Sequence, residues 1–184
     1  MNWMLKQILV GREGRQTIAK YATGADQYLG VGLVLSAAAL GLALTAPAIT
    51  TTGYLGLMGT YSLLDMIMPL MKGGQGNAAI FIVVVALLLP IIFLSSAFEV
   101  WYKHELQGDK FERKAARLRQ YGKLWFLEFA ALLFGLYTVL TADADIVLHL
   151  PVYYLMISLG MQKLVFTRLS LMIASVKYVE DEEG

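Results

Sequence analysis

Glu99, Glu128 and Lys163 are the residues most able to carry chemistry, because each lies within or beside a stretch of sequence that is otherwise apolar. An ionisable side chain in lipid is unfavourable unless it is paired or hydrated. We therefore predict that the three side chains face inward, towards one another or a cavity, in an intramembrane polar network that includes Ser95 and Ser96. The alternative is that all three reach the headgroup region, since each lies close to the end of its apolar stretch.

Signatures of enzyme catalysis are scarce. The chain has no cysteine, and its two histidines are His104 and His149. The predicted membrane topology puts these two residues on opposite sides of the membrane, so they cannot share a metal ion or a catalytic triad. Residues 73–76 (GGQG) lack the lysine and hydroxyl residue of a nucleotide-binding loop. The basic segment, residues 103–123, lacks the interleaved aromatic residues that would stack on nucleic-acid bases. We predict no enzymatic activity, no cofactor, no metal site and no nucleic-acid partner.

The composition indicates what positions these residues. The chain is 58% hydrophobic and 16% charged, with a mean hydropathy of +0.60, which is too apolar for a soluble domain. We predict an all-α, polytopic membrane protein with four transmembrane helices, at residues 28–49 (ending near Pro47), 78–102, 124–141 and 146–162.

Basic residues predict the orientation. Seven Lys or Arg residues lie between Lys103 and Lys123, and none lies in residues 124–162. Since cationic loops stay in the cytoplasm, we predict a bacterial inner-membrane protein with both termini cytoplasmic. Ser62 and Asp65 resemble a capping box, so a short amphipathic helix is predicted in the external segment before the second crossing.

Four residues of the basic segment recur at spacings of three or four, which brings them to one face of a helix. Anionic lipid headgroups are the default partner of such a face, so we predict contact with phospholipid through Lys110, Arg113, Lys114 and Arg117.

Two features predict how the helices pack. Pro90 removes a backbone donor from the second crossing, so a kink or local hydration is expected near mid-membrane. The first crossing is rich in small residues, which let helices approach closely in lipid, and Gly32, Ala37 and Gly41 are its predicted packing positions.

The chain ends are predicted to lie outside the membrane domain. We divide the chain into a cytoplasmic segment at residues 1–27, a transmembrane domain at 28–176 and an acidic tail at 177–184. Residues 1–10 fit either a short helix in the interface plane or a frayed cytoplasmic tail.

The order of these features resembles the membrane domain of the paraquat-inducible protein A family, over residues 28–175. The matching positions are Pro47, residues 61–64 (YSLL), 76–80 (GNAAI), 88–90 (LLP) and 123–128 (KLWFLE). Two features differ, because members of that family often carry zinc ribbons built from cysteine pairs and a basic residue shortly after the central proline. This chain has no cysteine, and Phe93 stands where those members have the basic residue after the central proline.

The resemblance implies an inner-membrane subunit of a lipid transport system, working with a periplasmic protein of the mammalian cell entry (MCE) type. Such a subunit would pass lipid between the bilayer and its partner without hydrolysing ATP. Under this hypothesis the second crossing and the polar network form the lipid path or a protonation-linked switch. The alternative is a small, non-catalytic accessory or scaffold subunit of a larger membrane complex, which docks through its small-residue first helix.

The topology can be tested by cysteine labelling, because the chain has no cysteine of its own. A cysteine at Gly108 should react only with a cytoplasmic reagent, and a cysteine at Ala144 only with a membrane-impermeant external one. Labelling of the Gly108 position from outside, or of the Ala144 position only from the cytoplasm, would reverse the placement.

Overall fold

The structure, a computed structural model, describes residues 17–103, 106 and 109–182. Its helices are α1 (Ile18–Tyr21), α2 (Leu29–Thr45), α3 (Leu63–Lys72), α4 (Gly76–Ile82), α5 (Leu89–Phe98), α6 (Asp109–Leu140) and α7 (Leu150–Glu182), and its strands are β1 (Pro47–Thr52), β2 (Met58–Ser62) and β3 (Ile146–Leu148). The alternatives predicted for residues 1–10 lie outside the described residues.

Four helical stretches are long and apolar enough to span a membrane: Gly24–Thr45, Gly76–Lys103, Lys110–Leu140 and Leu150–Ser175. The prediction of a mainly helical chain with four such helices is therefore confirmed. In the second stretch, α4 and α5 are joined without a break by the π-helical segment Val83–Leu88.

The bounds of several helices differ from the prediction. The basic segment and the third crossing form one continuous helix, α6. Helix α7 begins at Leu150 rather than at residue 146, because Ile146–Leu148 is a strand, and Pro151 occupies its first turn, where a missing N–H removes no intrahelical hydrogen bond. Helix α7 also continues to Glu182, past the predicted end of the transmembrane domain at residue 176.

A three-stranded antiparallel sheet, in the order β2-β1-β3, was not predicted. Strand β1 is central and ends in Thr50, Thr51 and Thr52, and such β-branched residues favour extended backbone. Thr50 pairs with Thr60 of β2 and with Val147 of β3. The sheet therefore joins two segments that are far apart in the sequence. The first crossing was predicted to extend to residue 49, but helix α2 ends at Thr45, and both β3 and the first residues of β1 occupy positions that the prediction assigned to membrane helices.

Helix α3 begins where the capping box predicts. The Ser62 hydroxyl accepts a hydrogen bond from the Asp65 backbone N–H at 3.1 Å and lies 2.6 Å from an Asp65 carboxylate oxygen, which satisfies one of the unpaired donors of the first turn. One face of the helix buries Met66 and Leu70 against Ile49 of β1 and against Leu57, which directly precedes β2. The opposite face leaves large apolar side chains exposed, at Leu64, Met68 and Met71.

The chain forms two compact units. The first contains the described residues of Met1–Leu35, Phe93–Leu124 and Gly160–Gly184, and the second contains Ser36–Ile92 and Trp125–Leu159. The sheet and helices α3 and α4 all belong to the second unit.

In the first unit, the ring of Phe166 fills the space beside Gly122. The ring packs edge-on against Phe93 at a centroid distance of 6.1 Å, and the Lys163 ammonium lies 5.6 Å from the ring centroid. A Cβ atom added at Gly122 would overlap the Phe166 ring. Helices α5, α6 and α7 therefore meet around one aromatic side chain, and the absence of a side chain at Gly122 permits it.

Gly122→Ala should lower the free energy of unfolding by about 1 to 3 kcal/mol, because the Phe166 ring must leave its position against Phe93. Gly41→Ala is the matched control, because a Cβ there meets nothing within 4 Å. Alanine also favours the helix over glycine by about 1 kcal/mol at both positions, so this contribution cancels in the comparison. The measurement is thermal unfolding in detergent. Equal stability of the two variants, or a Phe166→Ala background that leaves the Gly122→Ala effect unchanged, would contradict this packing.

Candidate functional site

Glu99 lies among basic side chains at the end of the second long helix. It begins the π-helical segment Glu99–Lys103, and each of its two carboxylate oxygens is paired with a different cation. Lys114 of α6 forms a close ion pair with one oxygen, and the Lys103 Nζ lies 3.6 Å from the other. The Glu99 side chain is 32% exposed and that of Lys114 34% exposed, so the pair is partly desolvated.

The other predicted network residues of the first unit lie on α5 and α7. Ser95 is exposed and Ser96 is half-buried. Lys163 is half-buried, and its ammonium group lies over the Phe166 ring. A cation over an aromatic face is stabilised by the ring quadrupole, more strongly where water is excluded.

Glu128 lies in the second unit and is more deeply buried than Glu99. Its side chain is 4% exposed, and its Oε1 atom has no hydrogen-bond partner among the described residues. A buried oxygen without a partner is unfavourable by about 1 to 3 kcal/mol, which makes such a group a candidate for function rather than for stability. The network that would join Glu128 to Glu99 and Lys163 stays a prediction.

The predicted basic face divides into two parts. Lys110, Arg113 and Arg117 are exposed, whereas Lys114 is half-buried and paired with Glu99. The opposite face of this part of α6 buries Phe111, Ala115 and Leu118. Three of the four predicted residues are thus exposed to the surroundings, and contact with lipid stays a prediction.

The helix around Pro90 changes its hydrogen-bond spacing. In the π-helical segment before the buried proline, the Leu89 N–H donates to the Val84 carbonyl, a step of five residues instead of four. A wider turn of this kind accommodates the missing proline donor. The kink or local hydration predicted near Pro90 stays a prediction.

The predicted packing positions of α2 differ from one another. A Cβ on Gly32 would lie 3.4 Å from a Val165 methyl, whereas one on Gly41 would meet nothing within 4 Å. Ala37 is half-buried and Gly41 is exposed. Among the described residues, Gly32 therefore packs within the chain, and a packing role for Gly41 needs a partner outside it.

A reciprocal serine pair in the second unit escaped the sequence analysis. Ser36 of α2 and Ser158 of α7 are both buried, and each hydroxyl donates to the backbone carbonyl of the other residue, at 3.0 and 2.9 Å. Hydroxyls are among the groups that join helices in lipid. In the sequence, Ser36 directly precedes the alanines at 37–39 of α2, and this position is the feature that could have indicated the pair.

The second unit also encloses an apolar cavity of about 450 Å³. Its wall combines residues of the sheet region with residues of four helices. The sheet side contributes Ile49, Leu57 and Leu148, α3 contributes Met66 and Leu70, and the longer helices contribute Phe81, Ala86, Leu132, Gly135 and Leu155. Among the described residues that line the cavity, none is Asp, Glu, Lys or Arg. The cavity therefore suits an uncharged, apolar ligand.

The 3₁₀ turn Tyr54–Gly56 between β1 and β2 forms part of the cavity wall. The Tyr54 hydroxyl lies 3.2 Å from the Thr138 hydroxyl of α6. Leu55 has φ 52° and ψ 27° and is the one residue other than glycine with a positive φ in the part of the chain that the structure describes. An unfavourable backbone conformation is thus held beside the cavity by a side-chain hydrogen bond.

Small residues at Ala48, Ala78, Ala86 and Gly135 leave the cavity its space. No sequence pattern marks these positions, because nothing in one helix alone shows which side faces a void.

His149 contacts the sheet through Thr50, and its Nε2 lies 2.8 Å from the threonine hydroxyl.

Within the described residues there is no group of three or more His, Cys, Asp or Glu side chains that could hold a metal ion. Comparison of the chain with protein-family models, with curated protein sequences and with solved structures gives no match.

The Glu99 ion pairs make a prediction about stability. Lys114→Met should lower the free energy of unfolding by about 1 to 2 kcal/mol. This is less than the full contribution of a hydrogen bond to a charged group, because solvent screens a pair that is one-third exposed. Lys103→Met is the matched control and should change it by about 0 to 1 kcal/mol, since that lysine is 62% exposed. Chemical unfolding in mixed micelles measures both. Equal effects would show that Lys114 is not the principal partner.

Proposed function

We propose that this chain is a multi-pass inner-membrane subunit of an MCE-type lipid transport system, similar to the paraquat-inducible protein A family, and that it passes phospholipid between the bilayer and a periplasmic partner. The single observation that carries the proposal is the apolar cavity of about 450 Å³ in the second unit. This volume lies within the range of small-molecule sites, roughly 300 to 1,000 Å³, and the cavity wall offers no charge to a polar substrate.

The strand pairing supports the orientation that the proposal needs. If four helices cross a membrane in turn, the segment between the first two and the segment between the last two lie on the same side. These segments hold β1 and β3, which pair in one sheet, whereas the basic residues of α6 belong to the segment on the other side. The positive-inside rule then assigns the sheet, α3 and the adjoining part of the cavity to the periplasmic side.

Helix α3 supports contact with the outer leaflet. Its exposed residues Leu64, Met68 and Met71 would be unfavourable in water, whereas Asp65 and Lys72 are also exposed and would prefer it. A helix that exposes both kinds of side chain fits the boundary between headgroups and acyl chains. Such a helix lies beside the cavity and would connect it to the lipid of that leaflet.

The competing function is an accessory or scaffold subunit of a larger membrane complex. One observation favours it: Ala38 and Gly41 are exposed on α2, and space is open beside Gly41, as at a docking face for another helix. The accessory function does not require a ligand cavity.

The proposal predicts a cellular phenotype. Deletion of the gene in its source bacterium should increase the permeability of the envelope to a large hydrophobic dye, and the wild-type gene should restore it. Ala86→Phe, which fills the cavity, should fail to restore it at equal protein level in the membrane, because an aromatic ring occupies the space that the ligand needs. Ala130→Phe is the control, since Ala130 is exposed on α6 and should restore it fully.

Affinity purification from the same cells should also recover a periplasmic MCE-type protein with the chain. Unchanged permeability on deletion, together with recovery of an unrelated membrane complex, would overturn the transport proposal and favour the accessory function.

A further inference from the structure

We propose that the cavity of the second unit binds one aliphatic chain of a lipid, with the headgroup left outside, and that the 3₁₀ turn Tyr54–Gly56 is the gate through which the chain enters and leaves. This inference deepens the proposed function and rests on it. It names the part of the lipid that is recognised and the element that controls access.

The shape of the cavity fits a single chain. Along the second long helix its lining residues extend from Asn77 to Ala86, nine residues apart, which is about 13 Å of helix. Along α6 they extend from Leu132 to Val139, or about 10 Å. An apolar space of about 450 Å³ that is bordered by these lengths of helix has room for one hydrocarbon chain and is far smaller than a whole phospholipid.

The polar groups of the wall explain why the headgroup stays outside. Two of them are the Tyr54 and Thr138 hydroxyls, which lie 3.2 Å apart, and the Thr138 hydroxyl donates to the Gly135 carbonyl at 2.7 Å. A phosphate inside the cavity would lose its hydration and meet no cation among the described lining residues, which is strongly unfavourable. The wall thus selects for the tail and against the head.

The turn has the features of a movable closure. Leu55 lines the cavity with a left-handed backbone that a β-carbon disfavours. It lies between Gly53 and Gly56, whose φ angles are also positive, at 137° and 77°, and glycine adopts such angles without strain. The turn is held to α6 by the Tyr54–Thr138 hydrogen bond and to β1 by the Tyr54 N–H, which donates to the Thr51 hydroxyl at 3.0 Å.

This arrangement gives the gate two states. Breaking the Tyr54–Thr138 contact would let Leu55 relax to an ordinary backbone conformation and withdraw its side chain from the wall. Backbone strain at Leu55 opposes the closed state. The Tyr54–Thr138 contact maintains it, together with backbone hydrogen bonds within the turn from the Gly56 N–H to the Gly53 carbonyl at 3.0 Å and from the Leu57 N–H to the Tyr54 carbonyl at 2.9 Å. Strain of this kind is found at ligand clamps and switch regions.

Occupancy is tested by photo-crosslinking of the purified, full-length protein in detergent. Two probes are used, palmitic acid and a phosphatidylethanolamine, each with a diazirine in the middle of the acyl chain. We expect saturable labelling that mass spectrometry assigns to lining residues such as Leu55, Met66 and Val85. Ala86→Phe should reduce it at least tenfold, and Ala130→Phe should leave it unchanged.

The two probes distinguish the possible sources of the chain. Labelling by both, or by the phospholipid alone, indicates a phospholipid tail, whereas labelling by palmitic acid alone indicates a free fatty acid, and each result supports an aliphatic-chain site. Labelling that falls on exposed, non-lining residues such as Leu133 and is insensitive to Ala86→Phe would overturn the site.

The gate is tested by a chase with unlabelled lipid before the flash of light. Tyr54→Phe removes one hydrogen bond and should accelerate loss of labelling about fivefold, the rate equivalent of one such bond. Thr138→Val should do the same and serves if Tyr54→Phe is unstable. Tyr61→Phe is the matched control, because its hydroxyl donates to the Met58 carbonyl at 2.9 Å away from the cavity lining. Equal chase rates in all three variants would overturn the gate.

The outcomes separate this inference from the proposed function. Cavity labelling in a protein whose deletion leaves the envelope unchanged would preserve the binding site and refute the transport function. A permeability defect without cavity labelling would preserve the transport function and refute the binding site.

Discussion

The structure depends on one constraint, which applies to any chain whose helices cross a membrane: backbone polar groups in hydrocarbon must find their partners within the protein. Long helices satisfy this requirement internally except at their ends. At the C-terminal ends of α2 and α6, the Ala46 N–H donates to the Leu42 carbonyl and the Thr141 N–H donates to the Tyr137 carbonyl, both at 3.0 Å. Beyond these ends, the strands β1 and β3 pair with each other, so the extended segments that follow α2 and precede α7 are also hydrogen-bonded.

The same constraint accounts for the cavity. Pro90 cannot donate, and the turn before it widens into the π-helical segment Val83–Leu88. Val85 and Ala86 of that segment line the cavity. Wider turns of this kind are retained in proteins where they serve a site, because their hydrogen-bond geometry is less favourable than that of an α-helix. A backbone irregularity and a small side chain therefore coincide at the position where a ligand would need space.

The sequence predicted the parts of the fold that local patterns determine. Runs of apolar residues identified the four long helices, and the Ser62 and Asp65 pair identified the start of α3. The sheet was missed because its pairing joins Thr50 to Val147, nearly a hundred residues apart in the chain, and Ile146 reads equally well as the start of an apolar helix. The cavity was missed for a related reason, since it depends on which small residues of different helices face one another.

The two glutamates of the apolar helices show how much of a residue's role its type and sequence setting can predict. Glu99 and Glu128 have similar sequence settings, each a single acid in an apolar stretch near the basic segment. The structure separates them, because Lys114 and Lys103 neutralise the partly exposed Glu99, whereas Glu128 is buried with one oxygen that lacks a partner among the described residues. An ion pair at the edge of the apolar region stabilises a helix end and needs no further role. A deeply buried carboxyl group without such compensation reduces stability, so Glu128 is the stronger candidate of the two for a role in function.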